Sequence, residues 1–215
     1  MVIVKPISQI ELQPGSHIRV RDVGWQEFEE ILIERGEHSH TRLAYYQGIL
    51  EVMSPLPEHE RSVVIISDLI KLILRLQQRP WESLRSTTLK KQGIAAGIEP
   101  DECFYLENYQ AVIVKDRIDL NVDPPPDLAI EIDVTSLTEI NAYLALAVPE
   151  VWIYHQNSLT IYQLQNNQYI KSKFSHFFPE LPILTIIPQA IKRSKLVGMS
   201  QALQEFEETL KTLIL

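Results

Sequence analysis

An ionisable residue in the middle of an apolar β-run sets the terms for the whole chain. The cluster DPPPD at 123–127 holds the backbone extended, because a proline ring clashes with a helical residue before it. LAIEIDVT follows at once, and its apolar and β-branched residues read as a central strand. Side chains alternate along a strand, so Asp127, Glu131 and Asp133 share one face, while Ile130 and Ile132 take the other. Like charges on a buried face cost several kcal/mol through desolvation and repulsion. Such a face needs a basic group or a cation beside it, unless the strand lies at a sheet edge with its acids in water.

Around this strand the hydrophobic pattern switches between helix and strand periods. Residues 1–20, broken by Pro6, Pro14 and Gly15, read as an N-terminal arm packed on the body. WQEFEEILIERG sets Trp25, Phe28, Ile31 and Leu32 at helical spacing, with Gly36 as its stop. TRLAYYQGILEVMSP alternates about Gln47 and Gly48, the pattern of a β-hairpin, and Glu51 sits on its second strand. Residues 60–78 predict a long, largely buried helix with Lys71, Arg75 and Arg79 on its wet side. The strand-like stretches LRSTTLKK and ECFYLEN come next, separated by a loop at 93–97. Beyond the central strand the pattern gives a helix near 137–147 and a hairpin of VWIYHQ and LTIYQLQ turning at Asn157–Ser158. A strand QYIKSKF follows. A C-terminal helix over 195–215 carries Leu203, Phe206, Leu210 and Leu213 on its core face. The chain has no internal repeat and no regular βαβ period. The expected fold is one α/β domain over residues 1–215, a mixed central β-sheet flanked by helices.

Composition narrows the function. With 45% hydrophobic and 22% charged residues, the chain suits a soluble folded domain. Its longest apolar run, 63–76, is interrupted by Asp68 and Lys71 and falls short of the roughly 20 residues of a membrane span. The N-terminus lacks a secretory pattern, so a cytoplasmic location and no membrane partner are expected. A single cysteine, Cys103, rules out an internal disulfide and a thiolate zinc site. The formal net charge of −8 opposes long-range attraction to nucleic-acid phosphates. Between Arg61 and Lys91, however, seven basic residues stand against two acidic ones, which leaves room for a local basic surface.

Two further acids stand out of context. Asp101, in GIEPDECFYL, follows Pro100 at a loop-to-strand junction beside Glu99 and Glu102, where oxygen ligands from neighbouring strands can converge on a hard cation. Glu51 lies in the apolar stretch LEVM. In chain order Glu51, Asp101 and Glu131 make a set able to hold Mg²⁺ or Mn²⁺ for phosphodiester hydrolysis. Such an ion polarises the phosphoryl oxygen, lowers the pKa of the attacking water and neutralises the leaving oxygen. A purely structural acidic face would instead require Asp127 and Asp133 to pair with Arg or Lys, and Asp101 to lie far from Glu131. Trp152 and Tyr154 read as core aromatics.

Four segments in this order, GILEVMSPLPEHE, GIEPDECFYL, PPPDLAIEIDVTS and YLALAVPEVWIY, resemble the Uma-two family of restriction-endonuclease-like proteins, a branch of the PD-(D/E)XK nuclease superfamily. The resemblance runs from about Gly24 to Gln165. It implies a restriction-endonuclease-like core and a divalent-metal-dependent endonuclease acting on DNA. By analogy with restriction-like enzymes it also implies a homodimer with one active site for each strand. Asp101, preceded by Pro100, matches the family's first acid; Glu131 matches the acid of its (D/E)XK strand, and Glu51 the acid from the N-terminal part of the core. His59, in PEHER, matches a position at the mouth of the cleft where it could contact phosphate.

The resemblance also exposes a departure. The superfamily pattern has a lysine two residues after the strand acid, where this chain has Asp133. In this family the lysine moves to the following helix, four residues before the tyrosine that is here Tyr143, and the matching residue is Glu139. Such a lysine orients the attacking water and stabilises the pentavalent phosphate, contributions of about 3 to 4 kcal/mol. Lys90 and Lys91 are the nearest substitutes in sequence, with Lys91 the candidate base or phosphate contact. Without a replacement, the expectation is a weakened enzyme, with an inactive nuclease-fold protein that binds nucleic acid or protein as the alternative.

Overall fold

The structure, a computed structural model, describes residues 12–36, 41–132 and 137–214. Its elements run β1 (His17–Val20), α1 (Trp25–Arg35), β2 (Arg42–Tyr46), β3 (Ile49–Met53) and the long α2 (Pro57–Leu76). There follow β4 (Glu82–Ser83), β5 (Leu89–Lys91), β6 (Ala96–Ile98), β7 (Glu102–Tyr105) and β8 (Leu128–Ile132). The chain continues through α3 (Leu137–Ala145), β9 (Glu150–His155), β10 (Ser158–Gln165), β11 (Gln168–Ser172), α4 (Ile183–Val197) and α5 (Met199–Ile214). A mixed six-stranded sheet has the order β11-β10-β9-β8-β7-β4, with β8 and β9 parallel and its other pairs antiparallel. A second sheet, antiparallel throughout, has the order β1-β3-β2-β6-β5. The LAIEI strand is therefore central, between β7 and β9, and the edge-strand alternative for Glu131 is excluded.

Alternation along β8 separates two cores. Leu128, Ile130 and Ile132 pack in the larger one, among Ile66, Ile70 and Ile73 of α2 and Ile187 and Phe206 of the last two helices. Ala129, on the other face, packs with Ala44, Ile98 and Tyr143 between the two sheets and α3. A third core lies beyond the antiparallel sheet, where Phe28 and Ile31 of α1 meet Leu43, Tyr45, Leu50 and Val52. Glu131 shares the parity of Ala129, so it points into the middle layer.

Local sequence explains most boundaries. Gln47 and Gly48 adopt φ of 44° and 84°, the type I′ geometry that matches hairpin twist. The next hairpin turns on Gln156 and Asn157, φ 48° and 62°, one residue before the predicted pair, and Asn166–Asn167 turns as expected. The Gly36 N–H caps α1 on the Leu32 carbonyl at 3.2 Å. The predicted arm contributes β1, whose four residues pair with β3, while residues 1–11 lie outside the described residues.

Two elements differ from the sequence reading. The stretch 93–97, read as a loop, holds a 3₁₀ turn and the start of β6, which is hydrogen-bonded on both sides to β2 and β5. Gly97 is there for close approach: a Cβ would lie 2.8 Å from Phe28 Cζ, and that ring is stacked on Tyr45 at 4.6 Å and cannot yield freely. Gly97→Ala is expected to destabilise the protein by about 1 to 3 kcal/mol through overpacking, measured by urea unfolding. The second difference is α4, which spans a segment the sequence reading left without an element. Pro188 removes one ladder bond from it, but Ile183, Ile186, Ile187, Ala190 and Ile191 bury one continuous helical face that outweighs the loss. The predicted C-terminal helix is α5, set off from α4 by Gly198.

Candidate active site

The link from β6 to β7 carries the chain from one sheet to the other in three residues, Glu99, Pro100 and Asp101. Its charged neighbours are fastened in place. Glu99 is bridged by the Arg35 guanidinium and accepts from Leu43 N at 3.1 Å and Thr88 Oγ1 at 2.9 Å. Glu102 accepts from Ser67 Oγ at 2.6 Å, Ser83 Oγ at 3.1 Å and the amides of Arg85 and Cys103. Asp101 differs. It is 1% exposed, its Oδ2 accepts the Ile132 amide at 2.9 Å, and its Oδ1 is buried and accepts from no amide, hydroxyl or cation among the described residues.

Register brings Glu131 to the same place. Ile132 N reaches Asp101, so the Glu131 carboxylate, 5% exposed, lies within hydrogen-bonding reach of the Asp101 carboxylate. The Tyr143 hydroxyl, one turn beyond Glu139 on α3, donates to Glu131 Oε1. A cavity of about 10 Å³, room for one water-sized group, is lined by Glu51, Glu99, Asp101, Glu131 and Glu139, with Arg42 as the cation among its described walls. Glu51 reaches it from β3, with His17 Nε2 and Arg19 Nε each 3.4 Å from its carboxylate. His59, in the first turn of α2, places Nε2 3.0 Å from Asp101 Oδ2.

The other predicted groups fall elsewhere. Asp127 accepts the amides of Leu106, Glu107 and Asn108 and the Asn108 side chain, so it ties down a loop and does not join Glu131. Asp133 lies outside the described residues. Lys91 borders a different cavity, beside Ala145 and Ala147 at the far end of α3 from Glu139, roughly 9 Å along the helix. Lys90 faces outward and pairs with Glu29 at 2.8 Å. Both belong to an edge strand whose register carries them away from Asp101. Trp152 is a core aromatic as expected and also donates to Glu150, a buried carboxylate that accepts Ser175, Gln163 and His176 as well.

The family profile for Uma2 (Uma-two), described as "Putative restriction endonuclease", matches residues 25–194. The chain belongs to the Uma2 family. A solved structure, described as a putative nuclease belonging to DUF820 from Anabaena variabilis ATCC 29413, aligns over 83% of this chain and 97% of that one. The TM-score is 0.51 at 16% sequence identity, a likeness of fold. The restriction-endonuclease-like core expected from the sequence is present. No curated protein matches the chain. Among the described residues no helix is long and apolar enough to cross a membrane.

The electrostatics of this Uma2 cavity follow from its acids. Burial first, then the charges of Asp101 and Glu139, hold the Glu131 carboxyl well above the usual range, with the Tyr143 hydroxyl pulling the other way. Burial and the Glu131 charge push the Tyr143 phenol up, which keeps it a donor. Burial pushes the His59 imidazole down, but the Asp101 carboxylate, helped by Glu60, outweighs it and holds the ring above its ordinary value. Burial also pushes up the Cys103 thiol, which is inert as a nucleophile.

Whether a divalent ion fits is decided by the donors. Among the described residues no three His, Cys, Asp or Glu side chains converge on one point as a metal site. Two carboxylates do meet, those of Asp101 and Glu131. That suits Mg²⁺, which needs only one or two protein carboxylates, and Mn²⁺ takes the same oxygen donors.

The raised Glu131 has a thermodynamic sign. Its contribution to stability is fully present below the ordinary glutamate value of about 4.3 and is lost as pH rises through the raised one. In EDTA, wild type is expected to lose thermal stability relative to Glu131→Gln as pH rises above the ordinary glutamate value. Parallel melting curves across that rise would contradict it.

Proposed function

We propose that this Uma2 chain is a divalent-metal-dependent nuclease that hydrolyses phosphodiester bonds of DNA. The observation that carries the reading is the buried Asp101–Glu131 pair, two carboxyl groups within hydrogen-bonding reach of each other on the wall of a cavity lined by three further acids. Asp101 and Glu131 hold Mg²⁺ or Mn²⁺, with Glu51 on the facing wall as an outer carboxylate. The ion, when bound, polarises the phosphoryl oxygen and supplies an acidified water. Hydrolysis adds that water across one P–O bond and leaves one phosphate end and one hydroxyl end.

The chain's own residues prepare this chemistry. Tyr143 fixes the rotamer of Glu131 through its hydroxyl. Ile132 N and His59 hold Asp101 Oδ2, which fixes the carboxylate beside Glu131. Glu139 adds negative charge beside Glu131 at the position where the family resemblance expects a lysine, so turnover is slow. Cutting both strands of a duplex calls for two copies, each bringing one such site.

Supercoiled plasmid incubated with the purified chain is expected to convert to nicked circles with Mg²⁺ or Mn²⁺ and to remain supercoiled in EDTA. Plasmid left intact by both ions, at protein in molar excess, would sink the reading.

A further inference from the structure

We infer that Arg42 is a catalytic residue that binds the scissile phosphate, standing in for the lysine this chain lacks; the inference rests on the nuclease reading above. Alternation on β2 sends Leu43 and Tyr45 to the α1 side, and therefore sends Arg42 and Ala44 toward the cavity. Arg42 lines that cavity together with Asp101, Glu131 and Glu139. Five carboxylates share the same wall, a field that repels a polyanion unless a cation meets it.

Among the described residues no hydrogen bond takes up the donors of Arg42. Its side chain is only 15% exposed, and Nε is buried without a hydrogen-bond partner among them. Its ion-pair neighbour among the described residues, Glu60 Oε1, is 3.5 Å from Nη2, too far for a short charge-assisted hydrogen bond. The second Glu60 oxygen lies 3.7 Å from Arg85 Nη2 at the rim. Glu60 is thus a positioning residue that steadies the guanidinium by charge and leaves its fork open. An idle buried donor is costly, and a phosphate oxygen is the acceptor that the planar fork matches. Among the described residues the cavity therefore presents an acidic pair, Asp101 and Glu131, for a cation, and an unfilled donor, Arg42 Nε, for an anion.

The test uses the full chain and a short DNA duplex. In EDTA, Arg42→Gln is expected to reduce the dependence of log binding constant on log salt by about 1, the loss of one phosphate contact. With Mg²⁺ and saturating plasmid, nicking is expected to fall about 100-fold, the size of a transition-state donor. Mg²⁺ affinity, read by calorimetry, should be unchanged or tighter. Lys171→Gln, on β11, is expected to leave nicking unchanged. Arg42→Lys keeps the charge without the fork, so it should retain the salt slope and lose about 10-fold in nicking; it decides the matter if Arg42→Gln does not fold. A nicking wild type matched by its Arg42 variants would overturn this assignment alone. A wild type that neither nicks nor binds duplex would remove the nuclease reading and this inference together.

Discussion

Replacing Asp101 with asparagine is expected to lower plasmid nicking by about 10²- to 10³-fold while the protein stays folded. The loss is that large because, in the proposed site, only two of the carboxylates that line the cavity, Asp101 and Glu131, hold the ion. Removing one halves the protein charge on a bound ion, and electrostatic groups of this kind contribute about 3 to 4 kcal/mol to a transition state. Folding is spared for a physical reason. Asparagine keeps an oxygen for the Ile132 amide, and the substitution relieves the repulsion that helps hold Glu131 protonated. Nicking and Mg²⁺ calorimetry on Asp101→Asn, beside its thermal melt in EDTA, check the two halves separately. A folded variant that nicks at the wild-type rate would contradict the assignment.

Glu139→Lys is the substitution expected to raise activity, by about 100-fold. Glu139 stands on the cavity wall near the start of α3 and its charge bears on Glu131. A lysine there reverses the sign of that interaction, so Glu131 ionises at lower pH and is ready to take a cation. It also supplies the group that the family resemblance expects for orienting water, a contribution of roughly 3 kcal/mol. The measurement is initial nicking rate against pH for both proteins. The variant should be faster, and the rise of its rate with pH should begin lower. A variant no faster than wild type at any pH would show that Arg42 or another group already fills the role.

The reach of the sequence depended on the range of the interactions involved. Hairpin turns at Gln47–Gly48 and Asn166–Asn167, the α1 helix and the β8 strand are set by neighbours in the chain, and these are where pattern and structure agree. β6 was hidden because its three residues gain strand geometry from two partners far away in sequence, and its glycine looked like a loop signal. Pro188 hid α4 in the same way, since local propensity argues against a helix that tertiary burial enforces. At the site, Glu51, Asp101 and Glu131 were each recognisable as acids out of place, and all three reach one cavity. Arg42 was not, because nothing within its own strand marks it; its meaning comes from acids 60 to 90 residues away. Lys91 drew attention by nearness in sequence, which an edge strand does not convert into nearness in space. Tyr143 entered only as a landmark for the missing lysine, although it touches Glu131 directly.

Apart from Glu51, which His17 and Arg19 flank, the buried acids among the described residues divide into two kinds. On Glu99, Glu102, Asp127 and Glu150 both carboxylate oxygens are fastened by amides, hydroxyls or a guanidinium. Asp101 and Glu131 are fastened on one side and open to the cavity on the other. In the proposed enzyme, architecture and reactivity therefore rest on separate residues. Changes at the open pair or at Glu139 can tune or extinguish the chemistry while the scaffold persists, and a folded nuclease core with glutamate where a cation belongs is a product of that independence.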